Sequence, residues 1–148
     1  MRKYQLGFRR KISKFIELPF RDQLLLAETF VLLVLIRFCL TLLPFDKLYS
    51  IIKIFLNKAT CKYTDHINYT NKIVWSVELT GQYVLKEKCI AQALAVHIFL
   101  NRKRIGNTLQ IGFLRCRNDN CAHAWVKTED AILIGGSRKL HLYFQVLY

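Results

Sequence analysis

The chain has 148 residues, 53% hydrophobic and 22% charged, with six glycines and two prolines; this suits one globular domain with a real core and argues against a solenoid, a linker or long disorder. Lys and Arg number 23 against 10 Asp and Glu, a formal net charge of +13 at pH 7, so attraction to something acidic is expected; the basic residues are scattered and carry no aromatic-studded RNA-binding motif, which counts against nucleic acid. Five cysteines without regular spacing do not make a disulfide framework and point to a reducing cytoplasm.

Residues 1–21 read as a basic arm, with Arg2, Lys3, Arg9, Arg10, Lys11, Lys14 and Arg21 against the single acid Glu17, suited to docking on an acidic partner. Residues 22–148 are then the folded domain. Within it, 24–43 is an apolar run about long enough to cross a bilayer. Glu28 and Arg37 each cost about 2.5–3.5 kcal/mol at a helix centre, nearly cancelling the favourable apolar contributions, and at about 100° per residue they lie on opposite sides. A core helix of a soluble domain is therefore expected over a membrane span, and a cleaved signal peptide less still, since no small-residue cleavage site follows. Pro44 stops this helix, and Asp46 is placed to cap the next, over 47–57, whose Leu48, Ile51, Ile52, Phe55 and Leu56 form an apolar stripe. Residues 59–71 are polar and read as a loop; Cys61 and His66 in it match no common zinc spacing. A third helix runs from 72 to about 85 with Trp75, Val77, Leu79 and Tyr83.

The stretch 86–96 reads as a charged turn opening a helix that stays apolar on most of its surface to Leu100, which places it at the centre of the domain. Cys89 falls in the first turn, where the helix N-terminus and the flanking Lys86 and Lys88 favour a thiolate, although a small buried cysteine is the commoner outcome for such a stretch alone. Residues 101–106 close the helix with cations and Gly106 as the stop. The period then changes from helix to strand: strands at 109–116, 121–126, 131–134 and 140–147, separated by turns, predict an antiparallel meander. The fold class is α+β, with N-terminal helices and a central buried helix packed on the sheet.

A base for Cys89 is chosen on geometry. His97 is eight residues further along the same helix, about 12 Å at 1.5 Å per residue, and cannot take the thiol proton. His66 and His141 have no local pattern. His123 sits mid-strand on the face shared with Cys121 and Trp125, with Ala122 and Ala124 on the other. A cysteine at a helix N-terminus facing a histidine on an adjacent strand is the papain-type arrangement, in which the imidazole holds the thiol as an ion pair and later protonates the leaving amine. Taken alone, His123 is at least as often a satisfied core histidine.

The string Ala122-His123-Ala124-Trp125-Val126, with Cys89-Ile90-Ala91-Gln92-Ala93-Leu94-Ala95 and Leu109-Gln110-Ile111-Gly112 before it, resembles the transglutaminase-like cysteine peptidases that remove the leader from lasso-peptide precursors. Ile73-Val74-Trp75-Ser76-Val77-Glu78 and Leu42-Leu43-Pro44-Phe45 also resemble that family, so the similarity runs from about residue 22 to the C-terminus. The resemblance implies a papain/transglutaminase-like fold and a bacterial cytoplasmic peptidase without cofactor or metal. It would cut a ribosomally made precursor just before the residue whose amine closes the ring, with Cys89 as nucleophile and His123 as base. The resemblance also implies an acid, usually Asp, about twelve residues beyond the histidine, where this chain has Gly135. Asp130 lies in a turn, and a backbone carbonyl or a group from elsewhere is left to orient the imidazole.

A leader-recognition domain does not fit in the residues before the first helix, so the resemblance implies a stand-alone peptidase served by a separate leader-recognition protein. It implies an ATP-dependent, asparagine-synthetase-like cyclase as a further partner; this chain has no Gly-rich phosphate loop of its own. Other readings stay open: a transglutaminase-like acyltransferase, which shares the first step; a zinc-binding module using Cys116, Cys121 and His123; and a non-catalytic basic adaptor held at the membrane by 24–43.

Overall fold

A computed structural model describes residues 17–55, 67–84, 89–115, 120–129, 131–136 and 144–147. Among them four helices precede four strands: α1 Phe20–Leu42, α2 Phe45–Phe55, α3 Ile67–Val84, α4 Cys89–Arg102, β1 Thr108–Arg115, β2 Asn120–Lys127, β3 Ile132–Ile134 and β4 Phe144–Leu147. The class is α+β, and the switch from helix to strand falls where the hydrophobic period changes.

The core is built on α4. Ala91, Ala93, Leu94, Ala95, Val96, Phe99 and Leu100 are all buried, and the helix packs against α1 and α3 on one side and β1, β2 and β3 on the other. Ala and Leu favour the helix locally. A segment apolar on nearly every side has no stable place except between two layers. Its C-terminus closes differently from the glycine stop expected at Gly106. Arg104 takes φ +56°, its N–H bonds the Asn101 carbonyl at 2.9 Å, and the N–H of Ile105 reaches back to the Leu100 carbonyl at 2.9 Å. These crossed bonds are a Schellman motif with Arg104 in the left-handed position. Burial decides which residue turns, because Ile105 has to fold back into the cluster that holds Leu100.

α1 is not the core helix expected from its composition. Its buried stripe is Leu26, Thr29, Leu33 and Ile36, packed on α3 and α4, and only 22% of its most apolar window is buried. Leu24, Phe30, Val31, Val34, Leu35, Phe38 and Leu42 remain exposed on the far side. The reason is geometric, since one layer of helices covers one stripe and no described element lies over the other. Polar ties fix the inner face: Lys72 bonds Asp22 at 2.6 Å, Glu28 pairs with Arg102 of α4, and the buried hydroxyls of Thr29 and Ser76 lie 3.1 Å apart. Phe20 and Arg21 belong to α1, while residues 1–16 of the basic arm lie outside the described residues.

Asp46 sits inside the first turn of α2 and not at its cap; the carbonyl of Pro44 accepts the amide of Leu48 at 3.2 Å. Residues 67–71, read as loop, are the first turn of α3. Thr70 is buried there and Tyr69 packs on the core, so tertiary burial overrides a polar composition.

In the sheet, β1 pairs with β2 and β2 with β3, all antiparallel, as a meander requires. β4 departs from the expected meander by pairing with β1, Ile111 opposite Val146, and the order is β3-β2-β1-β4. That is a Greek-key order. Edge lengths explain it: β3 has three residues and a bulged register, whereas β1 has eight. Residues 140–143 of the last expected strand lie outside the described residues.

Candidate active site

His123 is placed by the sheet register. It lies opposite Gly112 of β1. The ring is half-buried and lies 28° from parallel with the Trp125 ring at a centroid distance of 6.0 Å. This is the shared face expected for His123 and Trp125; the side chain of Cys121 lies outside the described residues. Trp125 is buried, and its Nε1–H donates to Oε1 of buried Gln110, its cross-strand partner, at 2.7 Å. Gln110 had no role in the sequence reading. The signal was a glutamine in an apolar strand, because a buried indole N–H needs an acceptor.

Nε2 of His123 is 2.7 Å from the main-chain carbonyl oxygen of Gly135. A carbonyl oxygen only accepts, so Nε2 carries the proton, and in the neutral ring Nδ1 holds the lone pair. Gly135 itself has φ +76°. A Cβ at this position would overlap the carbonyl oxygen of Ala124 and lie 2.9 Å from Cα and Cβ of Trp125. Glycine is what lets the end of β3 come this close to β2.

Cys89 is the first residue of α4, half-buried and not in a disulfide. It therefore stands at the partially positive end of the central helix. α4 packs directly on β2, the strand that carries His123. The fold thus packs the helix that starts at Cys89 against the strand that carries His123, through Ala124 and Val126 of that strand. Lys86, Lys88 and Asp130 lie outside the described residues, as do Cys61, His66, Cys116 and His141. Among the described residues no three His, Cys, Asp or Glu side chains are grouped to hold a metal ion.

His97, set aside as a base, is a core histidine. It is buried, its Nδ1 donates to Oδ1 of Asn107 at 2.6 Å, and it stacks on Tyr49 at 6.3 Å. Burial holds its pKa below the ordinary 6.5, with the Asn107 hydrogen bond opposing that shift. Two shallow clefts line α1, one by Val34, Arg37 and Phe38 and the other by Leu24, Val31 and Arg102; neither includes Cys89 or His123.

A model of the family described as the Transglutaminase-like superfamily matches residues 39–148, which take in α2, α3, α4 and all four strands. Comparison with curated proteins and with solved structures gives no match.

Proposed function

The chain belongs to the transglutaminase-like superfamily, whose members are usually cysteine peptidases or acyltransferases, and we propose that it is a cysteine peptidase removing the leader from a ribosomally made lasso-peptide precursor. Cys89 is the nucleophile and His123 the general acid and base. The observation that supports this best is the tautomer of His123. With Nε2–H committed to Gly135, Nδ1 is the nitrogen that exchanges a proton with the thiol, on the strand against which the Cys89 helix is packed.

The chemistry follows from those two groups. Nδ1 takes the thiol proton, and the Cys89 sulfur attacks the carbonyl carbon at the leader–core junction. The C–N bond of the tetrahedral intermediate breaks as Nδ1 returns the proton to the leaving amine, which departs as the new N-terminus of the core. The leader remains as a thioester on Cys89. Water then attacks that carbonyl, giving its proton to Nδ1, and the C–S bond breaks to release the leader carboxylate and the thiol. The freed amine is the group a ring-closing step requires. A separate leader-recognition protein delivers the precursor in the bacterial cytoplasm, and an ATP-dependent, asparagine-synthetase-like cyclase takes the core; the excess positive charge serves docking to such partners.

The test is to incubate the chain and its Cys89→Ala and His123→Ala variants with precursor and leader-recognition protein and to follow leader release by mass spectrometry. Cys89→Ala is expected to abolish cleavage and any leader adduct on the protein, and His123→Ala to slow it about 10²–10⁴-fold, the usual contribution of a positioned acid–base group. Cleavage that survives Cys89→Ala overturns the reading. Preferential transfer of the acyl group to an added amine would mark an acyltransferase instead.

A further inference from the structure

We propose that the main-chain carbonyl of Gly135 is the positioning group of the site: it holds His123 in the Nε2–H tautomer, and position 135 works only because it is glycine. This rests on the reading of His123 as the base. Two independent observations carry it. The first is the 2.7 Å approach of Nε2 to that oxygen, which fixes both the tautomer and one axis of the ring. The second concerns the backbone that delivers the oxygen. Gly135 holds φ +76°, and a Cβ would meet the carbonyl oxygen of Ala124 and stand 2.9 Å from both Cα and Cβ of Trp125. These neighbours are main chain or the root of a buried side chain, so none of them can swing away.

Placing an aspartate at 135 would therefore not add a carboxylate to an otherwise intact site. The side chain would force the end of β3 off β2 and withdraw the carbonyl already in use. The ring is also steadied from a second side, since the Trp125 ring beside it is itself anchored by Gln110. A carbonyl and a packed indole thus set the orientation that a side-chain acid would otherwise set. The carbonyl brings a neutral dipole where an acid would bring a full negative charge.

The experiment combines long-range ¹H–¹⁵N spectroscopy of the His123 ring with kinetics of precursor cleavage, on wild type and on Gly135→Ala and Gly135→Asp. In the wild type at a pH where the ring is neutral, Nε2 is expected to show the protonated signature and Nδ1 the unprotonated one. Both variants are expected to lose that pattern and to drop about 10²-fold in kcat with KM nearly unchanged, the loss typical of a displacement near 1 Å. A wild-type ring protonated at Nδ1 overturns the proposal, as does a Gly135→Asp variant that keeps wild-type kcat. If the variants do not fold, the wild-type tautomer decides alone. The spectrum needs no substrate, so a failure of the peptidase reading, seen as cleavage independent of Cys89, is distinguishable from a failure of the Gly135 assignment.

Discussion

Gln110 and Trp125 illustrate how one buried hydrogen bond governs the neighbourhood of His123. The indole is 2% exposed and its Nε1–H donates to the Gln110 side-chain oxygen, so Gln110→Leu removes the acceptor of a buried N–H. A loss of about 1–3 kcal/mol is expected, measurable as a lower midpoint in urea with an unchanged slope. His97 gives a second prediction. Its folded pKa lies below the ordinary 6.5 because burial disfavours the cation, so the unfolded chain binds the proton more readily. Its contribution to stability is therefore complete above about pH 6.5 and declines as pH falls from there toward the folded value. Unfolding curves of wild type and His97→Gln between pH 7.5 and 5 should diverge in slope below about pH 6.5; parallel curves would count against this account. Cys89 and His123 were legible as candidates because a helix start and a strand midpoint are patterns of side chains. Gly135 was not, because what it presents is an oxygen that every residue has, and its suitability lies in a backbone angle.

Among the elements, the end of α4 gives the clearest case of packing overriding local preference. Arg104 occupies a left-handed conformation that favours glycine, with its side chain exposed. Arg104→Gly should raise stability by about 0.5–1 kcal/mol, seen as an increase of about 1–4 °C in Tm. A lower Tm would mean that the Arg104 side chain makes a compensating contact. The sequence pointed to Gly106 for this role, because glycine is the usual residue there, whereas the turn is set two residues earlier by the need to bury Ile105. The strands were readable for a related reason: alternation identifies β1, β2 and β3 and a short turn implies that consecutive strands pair. No comparable local signal says which edge a strand joins after a longer connection. The position of β4 beside β1 depends on edge length, which is a property of the assembled sheet.

For the molecule as a whole, composition made the α+β order and the central helix legible, since a segment apolar on all sides has only one place to go. It could not tell which apolar residues would be left uncovered. The outer side of α1 carries Phe20, Leu24, Phe30, Val31, Val34, Leu35, Phe38 and Leu42, all exposed, on a chain of net charge +13. Those two properties oppose one another in solution. Like charge keeps copies apart while the apolar stripe draws them together, and salt weakens only the first, shortening the screening length from about 10 Å at 0.1 M to about 3 Å at 1 M. Light scattering in rising NaCl should accordingly show self-association increasing with ionic strength, reversed by Phe30→Glu with Phe38→Glu. The colloidal behaviour of this protein is thus expected to be that of a charged particle with one adhesive edge, held dispersed by its counterion atmosphere.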